Sequence, residues 1–520
     1  MTNVQKQQSQ QNGLHSTLWS IANDLRGNMD ASEFKNYILG LIFYRYLSEN
    51  LLDYVNNVLL KEDNLTYHQA WANKEYQQPL KDDLLEDSKV GYYIEPENLY
   101  STLIQKINTG TFNVTLLAKA VNALSDSTLN SESKDDFANL FDDMDLNSTR
   151  LGKSESERTK LISKVMLKIN DIDFHIHDSE IDILGDAYEY LIGQFAASAG
   201  KKAGEFYTPQ QVSAILAKLV TLDKSSLKSV YDPTCGSGSL LLRIGKEAKV
   251  ARYFGQELNS TTYNIARMNM LLHGISFRNF DIKNDNTLVH PQHLDLKFEA
   301  IVANPPYGSS WSSDESFMDD PRFNRYGRLA PKSKADYAFI QHMIYQLDDY
   351  GTMAVVLPHG VLFRGGAEGV IREYLIKEKN YLDAVIGLPA NIFFGTSIPT
   401  CILVFKKCRE VSEGIMFIDA SNEYESGKNQ NRLTDENVEK IVSVYKEKQD
   451  FEKYARLVAL DEVKENEYNL NIPRYINTFD EYETADLESI QKDIQSINKE
   501  IIELEEEVNR YLKELGIYYE

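Results

Sequence analysis

Short runs rich in β-branched and aromatic residues alternate with helical runs through the central part of the chain, from about residue 170 to residue 406. The β-rich runs are SVYDP, ARYFGQE, EAIVANPP, GTMAVVLP, LDAVIGLP and TCILVFKK, and the runs between them include LLLRIGKEA and YNIARMNMLLHG. This alternation predicts an α/β fold with a mostly parallel, doubly wound sheet. The last two β-rich runs lie close together in sequence, which allows an antiparallel hairpin at one edge of the sheet.

Other regions flank this α/β part, which we place at residues 166–410. Residues 1–165 are helical runs separated by polar loops and predict an all-helical N-terminal domain, while residues 411–478 are of mixed character. Residues 479–520 predict one long helix with a narrow apolar stripe, which favours a coiled coil with another helix over docking on the same domain. The stripe has alternating spacings of three and four, and its members are Leu487, Ile490, Ile494, Ile497, Ile501, Leu504, Val508, Tyr511 and Leu515.

Charge and composition limit the function of the 520-residue chain, whose formal net charge is −23. Because contacts with nucleic-acid phosphates need Lys and Arg, a chain this acidic that acts on DNA must cluster its basic residues or rely on a partner. The chain lacks an apolar stretch of about eighteen residues, and its polar start lacks the apolar core of a signal peptide, so we expect a cytoplasmic protein without membrane contact.

No metal site is predicted. The three cysteines, Cys235, Cys401 and Cys408, do not have the spacing of metal ligands. His175 and His177 could lie on the same side of a strand, but a solvent-facing or core position is the more common environment for such a pair.

A Gly-rich turn in DPTCGSGSLL follows the first β-rich run. Asp232 is placed at the end of the strand, Gly236 and Gly238 allow a ligand close to the backbone, and a helix begins near Leu240. The turn is neither the dinucleotide fingerprint nor a P-loop, and its acid suits a ligand with a positive end. Glu257, 25 residues further on in GQELN, is expected at the end of the next strand, where a carboxylate can accept both hydroxyls of a ribose. Each feature alone also fits an ordinary connection or a solvated charge.

A stiff loop, Asn304-Pro305-Pro306-Tyr307, follows the run EAIVA. Its two prolines fix the backbone, so Asn304 Oδ1 and the Pro305 carbonyl oxygen can be two acceptors that face the hydrogens of an exocyclic amine before reaction. Such acceptors would draw electron density onto a nitrogen whose lone pair is delocalised into a ring. Tyr307 offers a face on which a base flipped out of a duplex can stack. The alternative is a turn without a ligand.

The segment GEFYTPQQV predicts a helix N-terminus. Thr208 can cap a helix whose first residue is Pro209, and the free N–H groups there can bind a carboxylate. A well-capped helix without a ligand is the alternative.

The order of EFYTPQ, DPTCGSGSLL, GQELN and NPPY resembles that of amino-methyltransferases that use S-adenosylmethionine. The segments LWSIANDLRGNMDASEFKNYILGLIFYRYLS and GDAYEYLIGQFA narrow the resemblance to the modification (M) subunit of type I restriction–modification systems, over about residues 14–475. The resemblance implies an adenine-N6 DNA methyltransferase with S-adenosylmethionine as its cofactor. It also implies four partners: double-stranded DNA, a second M subunit, an ATP-driven restriction (R) subunit, and a specificity (S) subunit that reads the DNA sequence and is joined through helices, including the C-terminal coil.

The resemblance also implies roles for individual residues. The cofactor's amino-acid end would contact Glu205, Phe206, Tyr207, Thr208, Pro209 and Gln210, and its methionine part would contact Asp232, Gly236, Ser237, Gly238 and Ser239. Glu257 would hold the ribose, Asn304 to Tyr307 would bind the target amine, and Phe393, or less favourably Phe394, would stack on the flipped base with Tyr307. The family often has Gly-Asp-Thr/Ser-Leu before the catalytic strand. Here NDNTL puts Asn286 in the place of the acid, with Asp285 beside it, which leaves the contact with the cofactor's adenine open.

Other functions remain compatible with the residues. A cytosine-N4 methyltransferase needs the same two acceptors for its amine. Methylation of RNA or of a protein glutamine is also compatible, although the helical N-terminal region and the C-terminal coil argue against it. A non-catalytic assembly scaffold with a relict cofactor pocket is the alternative from another class.

Overall fold

The N-terminal part of the chain is helical, as its sequence predicts. The computed structural model describes residues 20–21, 31–63, 65–86, 90–172, 183–198, 208–393, 396–410, 413–427, 430–477 and 487–515. The N-terminal helices are α1 (Ala31–Tyr54), α2 (Tyr67–Ala72), α3 (Lys74–Glu86), α4 (Tyr100–Asn108), α5 (Val114–Ser127), α6 (Lys134–Phe137) and α7 (Glu155–Asn170). α1 has fully buried side chains around most of its circumference, so it forms the centre of this helical part.

A nine-stranded sheet follows, in the order β3-β2-β1-β4-β5-β7-β6-β8-β9. Its strands are β1 (Ser226–Asp232), β2 (Lys249–Glu257), β3 (Phe280–Asn284), β4 (Phe298–Ala303), β5 (Leu347–Pro358), β6 (Leu382–Gly387), β7 (Thr400–Lys406), β8 (Ile415–Asp419) and β9 (Ala455–Val458). β1 to β5 are parallel to their neighbours among themselves, β7 is antiparallel to both β5 and β6, and β9 is antiparallel to β8. The mostly parallel sheet is thus confirmed.

Helices cover both faces of this sheet. Alternate side chains of a strand point to opposite faces, so Ala300 and Val302 of β4 enter one core while Ile301 and Ala303 enter another. The first core also contains side chains of α8 (Ile183–Ser198), α9 (Gln210–Thr221), α10 (Ser239–Glu247), α11 (Ser260–Leu272) and α15 (Asp435–Glu447). The second contains side chains of α12 (Asp336–Gln346), α13 (Gly360–Phe363), α14 (Ala367–Glu373) and α16 (Leu460–Glu465). The doubly wound architecture predicted from the sequence is therefore confirmed.

The antiparallel hairpin lies inside the sheet and not at its edge. β6 and β7 pair as expected, but β8 and β9, from the region of mixed character, extend the sheet beyond β6. The position of β7 between β5 and β6 buries it on both faces, which agrees with its continuous apolar sequence.

The N-terminal helices are fixed to the α/β part through α11. The Arg267 guanidinium donates hydrogen bonds to the carbonyl oxygens of Asp135 (2.7 Å) and Ala138 (3.0 Å). The Tyr46 hydroxyl on α1 donates to the Leu271 carbonyl (3.0 Å). Because these bonds join backbone groups to side chains more than 100 residues away in sequence, they hold the helical part against the face of the sheet.

The C-terminal helix α17 (Leu487–Glu514) confirms the long helix expected from the sequence. Along its stripe, the side chains from Ile494 to Leu515 are 47–72% exposed. An apolar stripe this exposed is typical of a surface that binds another helix. Within the described part of the chain, none of the helices combines the length and apolar character needed to cross a bilayer.

Candidate active site

The predicted motifs meet at one edge of the sheet. Asp232 ends β1, Glu257 ends β2, and Asn304 follows the end of β4. Because β1, β2 and β4 are parallel and β1 lies between the other two, these three ends are neighbours. The carboxyl edge of a parallel sheet is where such folds bind ligands.

The Gly-rich turn between β1 and α10 has the backbone conformation that its glycines permit. Gly236 and Gly238 have φ values of +55° and +80°, which side-chain-bearing residues rarely adopt. Ser237 and Ser239 lie with their hydroxyl oxygens 3.0 Å apart, and the Ser237 carbonyl accepts a hydrogen bond from the Asn269 amide (3.0 Å). The hydrogen bond from Asn269 thus fixes the turn to α11, and the turn lies at the carboxyl edge of the sheet.

Glu257 is held in place by backbone groups. Its Oε2 accepts a hydrogen bond from the Gly236 N–H (3.0 Å) and its Oε1 accepts one from the Asn259 N–H (2.8 Å). Burial raises the pKa of this carboxyl, although these backbone hydrogen bonds oppose the rise. Each carboxylate oxygen keeps further acceptor capacity, so the group can still receive two hydroxyls.

Asp232 is a buried acid at the start of the same turn, with 2% of its surface exposed. Its pKa is raised to about 7, mainly by burial and also by the nearby Glu257 carboxylate, while the hydrogen bond from the Thr234 N–H (2.9 Å) opposes the rise. A buried acid with such a pKa is a common feature of ligand sites. A cation placed beside it would favour the ionised form.

The Asn304 side chain is fixed at both of its polar atoms. Its Nδ2 donates to the Thr208 hydroxyl (3.1 Å), and its Oδ1 accepts from the Tyr307 hydroxyl (2.6 Å). Burial raises the pKa of Tyr307 well above its usual value, so this hydroxyl remains a donor. The Tyr307 ring lies edge to face with Phe393, with the ring centroids 5.9 Å apart. The structure therefore brings the predicted acceptor and both predicted stacking residues together.

The predicted cap of α9 is wrong in detail. The helix begins at Gln210, and Pro209 is its N-cap residue with φ −53° and ψ 139°, without a side-chain hydrogen bond to the helix. Thr208 is one residue too early to cap this helix, and its hydroxyl accepts from Asn304 instead. A residue predicted to cap the helix thus orients the Asn304 amide of the Asn-Pro-Pro-Tyr loop.

Asn286 and Asp285 are engaged in local hydrogen bonds. Asn286 Oδ1 accepts from the N–H groups of Leu288 (3.1 Å) and Val289 (3.3 Å). Asp285 accepts from the Asn286 N–H (2.7 Å) and from the Gln292 amide (3.1 Å). The contact of Asn286 with the cofactor's adenine stays a prediction.

Several predicted positions lie outside the described residues: Glu205, Phe206, Tyr207, Phe394, His175 and His177. Within the described residues, no group of His, Cys, Asp and Glu side chains has the arrangement of a metal site.

A cavity of about 540 Å³ lies next to this edge of the sheet. Its lining mixes polar and apolar side chains and combines α8 and the start of α9 with later loops, through residues such as Gln194, Gln210, Ile392, Gln430 and Arg432. The lining residues Pro209 and Ile392 are the sequence neighbours of Thr208 and Phe393, so the cavity lies beside the Asn-Pro-Pro-Tyr loop that these two residues contact.

Three residues that the sequence did not indicate support the Asn-Pro-Pro-Tyr loop: Asp336, Arg364 and Glu368. Asp336 Oδ1 accepts from the Gly308 N–H (3.2 Å), directly after Tyr307, and its Oδ2 accepts from the Arg364 guanidinium (2.5 Å). Arg364 also donates to Glu368 Oε1 (2.9 Å). Arg364 follows the end of α13 and Glu368 lies in the first turn of α14, so their pairing across the Gly365-Gly366 turn has no helical signal in the sequence. Asp336 has no local signal either.

A mostly parallel sheet with an acid-led Gly-rich turn after β1, an acid at the end of β2 and an Asn-Pro-Pro-Tyr loop after β4 defines a Rossmann-like methyltransferase. Comparison with known proteins gives the particular family. Residues 179–484 match the family described as N-6 DNA Methylase, and residues 14–169 match the HsdM N-terminal domain.

Individual relatives agree with these matches. The MpnII methylase subunit of a type I restriction enzyme from Mycoplasma pneumoniae is 39% identical, covering 93% of this chain and 92% of the relative. The crystal structure of a type I restriction–modification methyltransferase subunit from Streptococcus thermophilus is 42% identical and has a TM-score of 0.83, covering 90% of this chain and all of that one. The chain therefore belongs to the N-6 DNA methylase family, as a modification subunit of a type I restriction–modification system, and is an adenine-specific DNA methyltransferase.

Proposed function

We propose that this chain transfers a methyl group from S-adenosylmethionine to N6 of an adenine flipped out of a specific DNA sequence, which a separate S subunit recognises. The observation that carries the proposal is the fixed Asn304 side chain, at the same edge of the sheet as Asp232 and Glu257. A loop that presents amine acceptors beside an acid-lined nucleoside site is suited to alkylation of an amine.

The residues of the first two strand ends fit the proposed cofactor. The turn at Gly236 brings backbone close to the ligand, Glu257 can hold ribose hydroxyls, and the buried Asp232 favours the ligand's positive amino-acid end. When bound, S-adenosylmethionine supplies a methyl group activated by a positively charged sulfur. The remaining positions, from Glu205 to Gln210 and from Ser237 to Ser239, are proposed to contact the amino-acid part, and Asn286 the adenine.

The chain's own contribution is to make the adenine amine a better nucleophile. Asn304 Oδ1 and the Pro305 carbonyl oxygen are proposed to accept its two hydrogens, with Pro306 keeping the loop stiff. Asn304 Oδ1 has two lone pairs, so it can accept from the amine while it still accepts from Tyr307. Because these groups are held before the base arrives, little reorganisation is needed during reaction.

The flipped base is proposed to stack on Tyr307 and Phe393. Their rings now lie 5.9 Å apart and edge to face, whereas a base between two parallel rings needs about 7 Å, twice the usual carbon–carbon contact. Stacking by both rings therefore requires Phe393 to turn away from Tyr307 when the base enters.

The affinity for S-adenosylmethionine should rise by about tenfold between pH 6 and pH 8, because Asp232 passes from mostly protonated to mostly ionised around its pKa of about 7. The ionised form attracts the positively charged ligand, so binding strengthens as the pH rises. In Asp232→Asn this rise should disappear. Calorimetric titration of both proteins across this range tests the prediction, and an equal rise in the variant would contradict it.

The proposed partners are double-stranded DNA, an S subunit bound through helices including α17, a second M subunit and an R subunit, in the cytoplasm. The net charge of −23 supports a division of labour in which a partner supplies part of the DNA contact. The exposed apolar stripe of α17 supports helix-to-helix binding.

Ile501→Asp should weaken binding of the S subunit by at least about tenfold, because it places a charge in a seam where a buried isoleucine stabilises by about 1.5–3 kcal/mol. Ile502→Asp is the matched control, since Ile502 is equally apolar, 57% exposed and outside the stripe. Co-purification and titration with the S subunit measure both variants. An equal loss of affinity for the S subunit in the two variants, or no loss in Ile501→Asp, would contradict a contact made by the stripe.

The test of the function is to co-express the chain with the S subunit from its own system and to digest the host DNA. N6-methyladenine confined to one sequence motif is the expected result, whereas N4-methylcytosine would identify the chain as a cytosine-N4 methyltransferase. Methylation found only in RNA, or only on a protein glutamine, would show that DNA is not the substrate. Absence of any methyl transfer, together with absence of cofactor binding, would favour the scaffold.

A further inference from the structure

A second concave site lies at the edge of the sheet opposite to the Asn-Pro-Pro-Tyr loop. Lys297 comes just before β4, Tyr381 just before β6, and Lys407 just after the antiparallel β7, so all three lie at the amino ends of β4 to β6. Lys297 and Asn304 flank the six residues of β4, so they are about 23 Å apart at roughly 3.3 Å per residue. A cavity of about 320 Å³ is present here.

Four cationic side chains line this cavity, although the chain as a whole is strongly acidic. They are Lys297, Arg325, Lys379 and Lys407. In the part of the chain that the structure describes, none of the four is within 4.0 Å of a carboxylate oxygen. The fifth cation in the lining, Arg322, is buried and paired with Asp320 (2.7 Å). Among the described residues, these four cations therefore have no carboxylate in ion-pair contact.

Two of these cations, Lys407 and Lys297, have lowered pKa values, to which neighbouring positive charges contribute. The pKa of Lys407 is lowered to about 8, mainly by burial and also by the nearby Lys297 and Arg325 charges, which Asp348 and Asp349 only partly oppose. Burial also lowers the pKa of Lys297. Like charges held together at a cost in free energy would be relieved by a bound anion.

Two of the cations also have a structural role, and two do not. Lys297 donates a hydrogen bond to the Tyr345 carbonyl, and Lys407 donates one to the Leu347 carbonyl (2.5 Å), where α12 meets β5. The side chains of Arg325 and Lys379 have no hydrogen-bond acceptor among the described residues. Hydrogen bonds within the fold therefore account for the positions of Lys297 and Lys407 but not for those of Arg325 and Lys379.

Tyrosine rings complete the lining. Tyr326 and Tyr374 lie edge to face with their centroids 4.9 Å apart, and Lys379 Nζ is 5.6 Å from the Tyr374 centroid. Tyr345 and Tyr381 are the other two rings. Aromatic faces beside cations suit a ligand that joins a planar base to an anionic group.

We propose that this cavity binds a nucleoside phosphate, with its phosphate on Arg325, Lys379 and Lys407 and its base against the tyrosines. The volume of about 320 Å³ is at the lower end of small-molecule sites, which suits one nucleotide. A concave site of this size favours a small ligand over the broad surface of a DNA duplex. The site is separate from the methyl-transfer site and does not depend on the function proposed for it.

Calorimetric titration of the full chain with AMP and with ATP tests the proposal, with saturating S-adenosylhomocysteine present to block nucleoside binding at the other edge. Saturable binding is expected, with at least a tenfold loss of affinity in R325E/K379E. Arg325 is exposed and Lys379 half-buried, so this variant should fold. The matched control is K160E/K249E, which makes the same charge change at two exposed positions outside the cavity and should bind within twofold of the unmodified chain.

Three results would overturn the proposal: no saturable binding of AMP or ATP, equal affinity in the two double variants, or binding of a twelve-nucleotide single DNA strand but of neither nucleotide. The last result would assign the cluster to a nucleic-acid backbone. Thermal unfolding of both variants verifies that a loss of affinity does not come from a loss of folding.

Discussion

Replacing Asn304 by alanine is expected to lower the methylation rate by at least about 10²–10³-fold, the usual effect of removing one prearranged polar group from a reaction centre. The variant loses the side-chain oxygen that accepts from the target amine, and it also loses the hydrogen bonds to Thr208 and Tyr307 that keep this oxygen in place. Affinity for S-adenosylmethionine should stay within about threefold, because Asp232 and Glu257 lie at the ends of β1 and β2 away from this side chain, and the proposed contact Thr208 loses only one hydrogen bond. Single-turnover methylation and calorimetric titration measure the two quantities separately.

Tyr307→Phe is the matched control for this variant. It removes the hydroxyl that donates to Asn304 Oδ1 but keeps the ring beside Phe393, so methylation should fall by less than about tenfold, the effect of one hydrogen bond. The comparison separates the acceptor from the residue that orients it. Retained turnover in Asn304→Ala would exclude the acceptor role, and a parallel loss of cofactor binding would indicate a structural effect instead.

The sequence predicts those parts of the fold and site that depend on local patterns. The ends of β1 and β2 at Asp232 and Glu257 follow from apolar runs that stop at an acid, and the order of the parallel strands then places both acids beside Asn304. The long C-terminal helix follows from its heptad spacing. Each of these strands and helices is predicted from one short segment, because its periodicity and the turn that ends it are local features of the sequence.

Features that depend on pairing between distant segments could not be predicted in this way. The insertion of β7 between β5 and β6 depends on strand pairing, which periodicity does not specify. The sequence predicts Thr208 as a helix cap because only its neighbours are visible locally. Its actual hydrogen-bond partner, Asn304, is 96 residues away. The cationic cavity likewise combines side chains from separate strands and turns, and no single segment of the sequence has an unusual charge there.

Arg364→Met is expected to destabilise the fold by about 3–5 kcal/mol, the usual effect of removing one partner from a buried ion pair. Arg364 pairs with Asp336 and Glu368, which are only 1% and 2% exposed, so the variant leaves two carboxylates buried without their cation. The urea midpoint of unfolding measures the change. Arg432→Met is the control: Arg432 and its partner Glu425 are 69% and 62% exposed, and exposed pairs stabilise by at most about 1 kcal/mol.

Restoring stability without restoring the cation would identify the cause. In D336N/R364M/E368Q the buried charges are removed together with the arginine, so most of the stability should return, because neutral amides are far less costly to bury than carboxylates. Methylation should recover less completely than stability, since the carboxylate that accepts from the Gly308 N–H is part of the support of the Asn-Pro-Pro-Tyr loop. A triple variant as unstable as Arg364→Met would mean that the arginine acts through packing of its side chain and not through its charge. A triple variant with full stability and full activity would show that the loop after Tyr307 holds its position without this support.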